Sequence, residues 1–595
     1  MRYIRVYLFL FFVCLTGLTV FASCSDDENA GYTGETRVSA TELFFPKEGG
    51  TLTLSVLSAD VPQVSSNQDW CGVSLKGVTQ RGTYTFEIVA AANAGTEDRT
   101  AALSVVAGSF TASVRVTQTA ADGLIVAQTS YEMPSAGGLL EVTLTTNGDY
   151  SYTIHDGWIT EVQTDNTRAM AEYTLHFTVS ANHGAERTGT ITFALGSLEE
   201  TVTVVQAAGE EATVEGETPY EIAASLGLGW NLGNQLDAHN SGVAEETAWG
   251  NRPATQALFD LVAAAGFTSV RIPVTWLGHV GEAPDYTIDE DYLNRVAEVV
   301  GYAENAGLNA IVNIHHDGAD SQYWLNIKNA AADEAVNEAI EAQLRAMWTQ
   351  IAERFKDKGN FLVFEAMNEI HDGGWGWGGN RTDGGHQYAI LNGWNQVFVD
   401  AVRATGGNNA DRYLGVPGYV TNIDLTVENF VLPADVAENR LMVAVHFYDP
   451  IDYTENAENI YSQWGHTGDP ALKAGWGDEE NVTAMFGKMK TTFIDQGVPA
   501  YIGEMGCVHR TDALSEAFRL YYLEYVCKAA KDYGLAPFYW DAGGDGTGTQ
   551  SWAFFDRTTG DRLNNAQEVI DVMKRAVFTE DAAYTLQSVY DSAPQ

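Results

Sequence analysis

The chain has 595 residues, enough for several domains with separate hydrophobic cores, and a composition ordinary for a globular protein. It carries 79 Asp and Glu against 33 Lys and Arg, a formal net charge of -46. That balance repels phosphate backbones, argues against nucleic acid as a partner, and suits a neutral ligand and a soluble surface.

At the N-terminus, Arg2 and Arg5 precede an apolar run from Val6 to Ala22 that ends at Ala22-Ser23-Cys24. Small residues directly before a cysteine resemble a lipoprotein cleavage box, with Phe21 where Leu is usual. The expectation is a signal peptide over 1–23 and a lipidated Cys24, with the chain tethered to the outer membrane only through lipid. Ser25-Asp26-Asp27-Glu28 resembles the acidic tails of surface-exposed lipoproteins. The run is short for a membrane span and is followed by acidic rather than basic residues, which disfavours an uncleaved anchor. Residues 24–35 are small and polar and read as a tether.

Two copies of one module follow, over 36–120 and 124–208. Gly49-Gly50 matches Gly137-Gly138, Trp70 matches Trp158, Arg99-Thr100 matches Arg187-Thr188, and Gln118 matches Gln206. Apolar and polar residues alternate over short runs such as Thr51–Val56 and Thr201–Val205, which predicts two tandem all-β, immunoglobulin-like sandwiches. These shared positions resemble BACON domains, and that resemblance implies carbohydrate binding. The residues themselves favour a spacer, because Trp70 and Trp158 fall where an inter-sheet core residue sits. Residues 209–217, acidic and punctuated by glycine, read as a linker.

From residue 218 to 580 the rhythm changes. Strand-like apolar runs alternate with stretches of helical period, such as Glu290–Ala306 and Glu338–Phe355. Eight runs qualify as strands: Leu228–Leu232, Ser269–Pro273, Ala310–Ile314, Leu362–Met367, Tyr413–Val416, Met442–His446, Ala500–Gly503 and Pro537–Trp540. Eight strands alternating with helices predict a (β/α)8 TIM barrel. An open doubly wound sheet is the alternative, and it is disfavoured because no Gly-rich nucleotide fingerprint follows the first strand.

A barrel gathers the C-terminal ends of its strands at one face. Those ends carry Arg271, His315-His316, Asn368-Glu369, His446 with Tyr448, Glu504 and Trp540. A carboxylate at the mouth of a buried strand is costly unless something uses it. Two of them, Glu369 and Glu504, suggest acid/base or nucleophilic work on a polar substrate such as a sugar. The set resembles glycoside hydrolase family 5. Smaller motifs narrow the resemblance to subfamily four: Gly229-Trp-Asn-Leu-Gly-Asn-Gln-Leu-Asp237, Glu246-Thr-Ala-Trp-Gly-Asn251, His315-His316-Asp317 and His446-Phe-Tyr-Asp-Pro450. Gln235 departs from the Thr often seen in the first motif.

The resemblance implies a retaining endo-hydrolase of β-1,4-glucans that needs no cofactor. Glu369 matches the acid/base and Glu504 the nucleophile. Asn368 is expected to bond the sugar 2-hydroxyl, Arg271 and Tyr448 to keep Glu504 ionised, His446 to orient Glu369, and Trp540 to stack under the sugar. Asn231, His315 and His316 are taken as binding or supporting residues. Xyloglucan is the first choice of substrate over mixed-linkage glucan and cellulose-like chains. A non-catalytic glycan-binding protein, or a mannanase or xylanase on the same scaffold, remain alternatives.

Among the remaining aromatics, Trp249, Trp276, Trp324, Trp375, Trp377, Trp464 and Trp476 fall near strand-end loops and are candidate platforms for a long glycan. Gly373–Gly379, which carries Trp375 and Trp377, is the strongest. The His315-His316 doublet suggests metal ligands, but adjacent strand residues point oppositely and no third ligand is evident, so no metal is expected. A Cys507–Cys527 disulfide is open on the sequence alone. A monomer is expected.

Overall fold

The computed structural model describes residues 34–79, 82–146, 149–162, 171–546, 548 and 552–595. The expected signal segment and Cys24 lie outside them.

Each N-terminal module is a sandwich of two four-stranded sheets. In the first, one sheet runs Arg37–Val38, Gly50–Leu57, Thr83–Ala90, Cys71–Val78, and the other Glu42–Phe45, Phe110–Gln118, Arg99–Ala107, Gln63–Ser66. The second module repeats this, down to an early strand lying parallel to the last: Glu42–Phe45 along Arg115–Gln118, and Ser130–Met133 along Thr203–Gln206. Period-two alternation buries Leu54, Val56, Leu103 and Val105 in one core and Val142, Leu144, Ile191 and Phe193 in the other.

The repeated sequence signals meet at one corner of each module. Arg99 Nε donates to Gln118 Oε1 at 2.9 Å, and Arg187 Nε to Gln206 Oε1 at 2.8 Å. Each guanidinium lies 4.4 Å over its tryptophan, Trp70 or Trp158. Each buried glutamine amide donates to main-chain carbonyls, those of Pro46 and Ala91 or of Pro134 and Ser180. Gly49 and Gly137 have positive φ, and a Cβ at either would lie 2.2 Å from a carbonyl oxygen of the neighbouring strand. Trp158 is 9% exposed and Trp70 is half-buried, so this corner is packing rather than an open aromatic platform.

The C-terminal domain is a closed eight-stranded parallel (β/α)8 barrel: Gly229–Leu232, Ser269–Ile272, Asn309–Asn313, Leu362–Glu365, Leu414–Pro417, Leu441–Phe447, Ala500–Met505 and Leu535–Asp541. The first strand closes on the eighth, with Gly229 opposite Phe538. The strands fall on the eight apolar runs of the sequence. The two helical stretches appear as Glu290–Asn305, capped by the Asp289 carboxylate, and Glu334–Arg354, capped by Asp333.

The barrel interior is layered by the two-residue period of its strands. Ile311, Val363, Tyr413, Met442, Ala444, Tyr501, Ala536 and Phe538 form the apolar floor. Two residues on along their strands come Asn313, Glu365, His446 and Trp540.

The segment read as a linker is corrected here. Val214 is fully buried in the floor layer, and its N–H donates to Asn360 O at 3.1 Å. The acidic composition of 209–217 signalled solvent. The open lower mouth of the barrel needs an apolar plug, and Val214 supplies it together with Ile222, Ala223 and Leu226 of the helix that follows. The chain then enters its first barrel helix through a capping box, Thr218 with Glu221, and Pro219 in the first turn.

Candidate active site

Arg271 is the centre of the site and is fully buried. Its Nη1 donates to Glu504 Oε1 at 2.7 Å and Asn231 Oδ1 at 3.1 Å, and its Nη2 to Asn368 Oδ1 at 2.8 Å. Nε and Nη2 grip Glu365, at 3.1 Å to each oxygen and 2.7 Å to Oε1. Glu365 also accepts from Tyr501 Oη at 2.6 Å and Asn313 Nδ2 at 2.8 Å. Asn231 is buried behind Arg271, its amide donating to Gly503 O at 2.9 Å, so it supports the arginine. Asn368 spends its oxygen on Arg271 and keeps its N–H2 for a ligand.

Glu504 reaches the interior through an irregularity in its strand. Tyr501 already points inward, where its hydroxyl meets Glu365, and strict alternation would next turn Gly503 inward. Val445 pairs with Ile502, but the next residue, His446, pairs with Glu504, skipping Gly503. This bulge re-aims Glu504 into the site. Glycine fits there because an added Cβ would approach His446 Nε2 to 3.2 Å.

Tyr448 Oη donates to Glu504 Oε2 at 3.2 Å. His446 Nδ1 lies 2.7 Å from Glu369 Oε1 and 3.6 Å from Glu504 Oε2. Burial pushes His446 down to about 4, so the ring is neutral. Its Nε2 is buried without a partner among the described residues, and a proton on Nδ1 would make His446 a donor to Glu369. Thr421 Oγ1 stands 3.5 Å from the same Glu369 oxygen, in a turn where Val420 and Thr421 have φ near +49°. Carboxylate oxygens of Glu369 and Glu504 lie within 4.8 Å of one another.

Burial raises the pKa of both glutamates. At Glu504 the neighbouring His446 and the Arg271 cation oppose it without overcoming it. The contacts from Arg271 and Tyr448 are where the sequence put them, but desolvation outweighs them, so Glu504 is more basic than an ordinary glutamate. At Glu369, His371 is the main opposing influence.

The glutamates open onto a cleft of about 800 Å³ lined by His316, Glu369, His446, Tyr448, Glu504 and Trp540 at its centre. Trp540 is 7% exposed and stacks on His315 at 5.8 Å. His316 Nδ1 is bonded to Asp237 O at 3.0 Å, leaving Nε2 toward the cleft. The candidate platforms separate. Trp249, Trp375, Trp377 and Trp476 are exposed and line the cleft, whereas Trp276 and Trp464 are buried in the core and Trp324 is half-buried against Asp317. In the glycine loop, the Asp372 carboxylate accepts from Gly374 and Asn380 N–H, and a Cβ at Gly378 would strike it at 2.3 Å. Trp377 projects from this pinned loop with Arg381 over its ring at 4.6 Å.

The geometric argument against a metal is corrected. The strand ends at Asn313, so His315 and His316 do not alternate, and their rings meet at 4.4 Å beside Asp237. The Asp237 carboxylate is engaged by the N–H groups of Asn234 and Gln235. The cluster of Glu369, His446 and Glu504 has the fixed cation of Arg271 at 2.7 Å from Glu504. Cys507 and Cys527 are separate buried thiols.

Sequence reading missed Glu365, Tyr501 and Asn313. For Glu365 and Asn313 the signal was a charged or amide side chain inside an otherwise apolar strand; Tyr501 gave none. Thr421 and Trp552 were missed as well. They enter the cleft from loops whose courses no local pattern dictates.

Two opposed carboxylates at the C-terminal face of a (β/α)8 barrel, in an open cleft with aromatic walls, define a glycoside hydrolase. Residues 235–546 match the cellulase family, glycosyl hydrolase family 5, and the chain belongs to it. Residues 35–121 match the viral BACON domain, and 145–207 a BACON putative N-terminal binding domain. A solved GH5-4 broad specificity endoglucanase from Bacteroides salanitronis is 84% identical, with a TM-score of 0.61, over 62% of this chain and 97% of that one. A xyloglucan-specific endo-beta-1,4-glucanase of Bacteroides ovatus is 35% identical over 67% of this chain and 81% of its own length. Endoglucanase A of Paenibacillus barcinonensis is 39% identical over 57% of this chain and 86% of its length.

Proposed function

We propose that the protein cleaves β-1,4-glucan backbones internally and with retention of anomeric configuration, with xyloglucan as its preferred substrate. The observation that carries this is the Glu369–Glu504 pair. Carboxyl groups roughly 5–5.5 Å apart support attack by one of them, whereas roughly 6.5–9.5 Å is needed to seat a water between. One oxygen of each glutamate lies within 4.8 Å of the other, which supports the shorter, retaining spacing.

Glu504, oriented by Arg271 and Tyr448, attacks the anomeric carbon, and Glu369 protonates the departing oxygen. Water then enters, Glu369 takes its proton, and the glycosyl–Glu504 bond breaks. The raised pKa of Glu369 keeps its proton available near neutrality, and the raised pKa of Glu504 makes it a stronger nucleophile once ionised. The unbonded N–H2 of Asn368 supports its role as donor to the 2-hydroxyl, and the position of Trp540 in the cleft supports its role as apolar floor for the pyranose face. An open cleft with exposed tryptophans suits an internal stretch of chain.

Product analysis on xyloglucan, mixed-linkage glucan, mannan and xylan tests the reading. Oligosaccharides of one anomer, released fastest from xyloglucan, are expected. Monosaccharide released only from chain ends, or net inversion, overturns it.

The location is proposed with it: a monomer held at the outer surface of the outer membrane by lipid on Cys24, with the two sandwiches as spacers. The support is the sequence of the first 28 residues. Cys24→Ala is expected to abolish incorporation of labelled palmitate and release the enzyme from membranes. Retained lipid label would refute the assignment.

A further inference from the structure

Beneath the two cleft glutamates lies a third carboxylate that the reaction above does not use. Glu365 is 1% exposed and gathers donors from three other strands: Arg271 from the second, Asn313 from the third and Tyr501 from the seventh. Such a group is costly to bury and survives only fully bonded. The contacts divide the guanidinium in two. Nε and one edge of Nη2 are held by Glu365, and the opposite edge delivers Nη1 to Glu504 and Nη2 to Asn368. Arg271 thus has one orientation open to it, and that orientation places both the residue that attacks the sugar and the residue that grips it.

We propose that Glu365 is a positioning residue for the reaction. It clamps the Arg271 fork so that Glu504 and Asn368 are aimed together, and its negative charge offsets that of Arg271 so that Glu504 stays strongly nucleophilic. The inference rests on the reading of Glu504 as nucleophile.

The surrounding charges make Glu365 the deciding one. Glu504 is faced by Arg271 from the second strand, His315 after the third, Glu369 after the fourth, and His446 and Tyr448 from the sixth and its loop. Glu365 is faced by Arg271, Tyr501, Asn313 and, more distantly, His446. Burial holds His315 and His446 neutral, and holds Tyr448 and Tyr501 protonated. Burial also works against ionisation of Glu365, but Arg271 and the Tyr501 hydroxyl outweigh it and hold Glu365 below the usual carboxylate range. The central charges are therefore one cation shared between Glu365 and Glu504, with Glu369 alongside.

The test is Glu365→Gln in the full chain, with the pH profile of kcat/KM measured on a soluble glucan. Removing a negative charge leaves the whole of Arg271 to Glu504, so the Glu504 pKa falls. The acid limb is expected to move down by about one unit, and kcat to drop about tenfold or more with KM changed far less. Tyr501→Phe removes the 2.6 Å bond without changing charge, and its acid limb is expected to stay in place. A folded E365Q enzyme whose acid limb is unmoved or moves upward overturns the proposal. Should E365Q not fold, Glu365→Asp decides: the charge remains but the clamp is shortened, so kcat is expected to fall with the limb fixed, and parental kcat overturns the clamp. Net inversion by the wild-type enzyme would instead mark failure of the nucleophile assignment, and it is read in a separate assay.

Discussion

Val214 gives the sharpest test of how the barrel is closed. Its side chain is fully buried in the floor layer, under Tyr413, Tyr501 and Phe538. Val214→Ala deletes two methyl groups, at about 0.8 kcal/mol each plus a cavity contribution, or about 1.5–2.5 kcal/mol in all. That corresponds to about 2–3 °C in the barrel's own melting transition. Val214→Asp places an unpaired carboxylate in the same layer and costs roughly 3 kcal/mol or more. The cleft is at the opposite mouth, so kcat on a soluble oligosaccharide below the transition should hold within about twofold. The same reasoning separates two truncations: a chain starting at Gly209 keeps the whole plug and the parental barrel melt, and one starting at Thr218 keeps Ile222, Ala223 and Leu226 but loses Val214 and melts lower. Calorimetry of the four proteins is the assay. A Thr218 start melting with the Gly209 start, or V214D melting with the parent, would refute the account of 209–217 as part of the fold.

Other outcomes follow from the site and the modules. Glu504→Ala should abolish turnover on every substrate, while Glu369→Ala should retain most with an activated aryl leaving group. Azide should then yield a β-glycosyl azide with E369A and an α-glycosyl azide with E504A, and the reverse stereochemistry would exchange the roles. Burial raises Asp317 from 3.8 to about 6, so its contribution to stability is full below about 4 and is lost as pH rises through about 6. Urea titrations should show the parent losing roughly 3 kcal/mol more than Asp317→Asn between about pH 3 and about pH 7.5; parallel curves would refute the assignment. Trp158→Ala should destabilise the second module by about 3–5 kcal/mol without changing retention on glycan-containing gels, because the ring is packed under Arg187. Lost glycan retention in a still-folded module would show that the ring binds sugar.

How much of this was legible in the sequence depends on whether a residue's role is local. The eight barrel strands were legible because each is a short apolar run between turn signals, and the sandwich corners because Gly-Gly, Trp, Arg-Thr and Gln recur in two copies. Strand ends gave Arg271, Asn368, Glu369, His446, Tyr448, Glu504 and Trp540 together, since a parallel barrel brings those ends to one face whatever its loops do. Non-local features were hidden. Val214 looked like part of a solvated linker because nothing in an acidic segment says that a barrel floor lies above it. The sorting of tryptophans into walls and core depended on loop courses, so Trp249 and Trp276, similar in sequence setting, ended one exposed and one buried.

The deepest gap was register. A two-residue period applied to Ala500–Met505 puts Tyr501 and Gly503 on one face and Glu504 on the other, outside the barrel. Burial of Tyr501 against Glu365 fixes the first inward position. The bulge at Gly503 then turns Glu504 inward as well, beside His446. Two polar layers are thereby set one above the other on a single strand: Tyr501 holding Glu365 below, and Glu504 receiving Arg271 above. Arg271 spans both layers, which is why one arginine answers to two carboxylates. The glycine is where the chain can be skipped past His446 without a side chain in the way. The glutamate was legible from its residue type and position, whereas its direction depends on a pairing shift that only the neighbouring strand reveals.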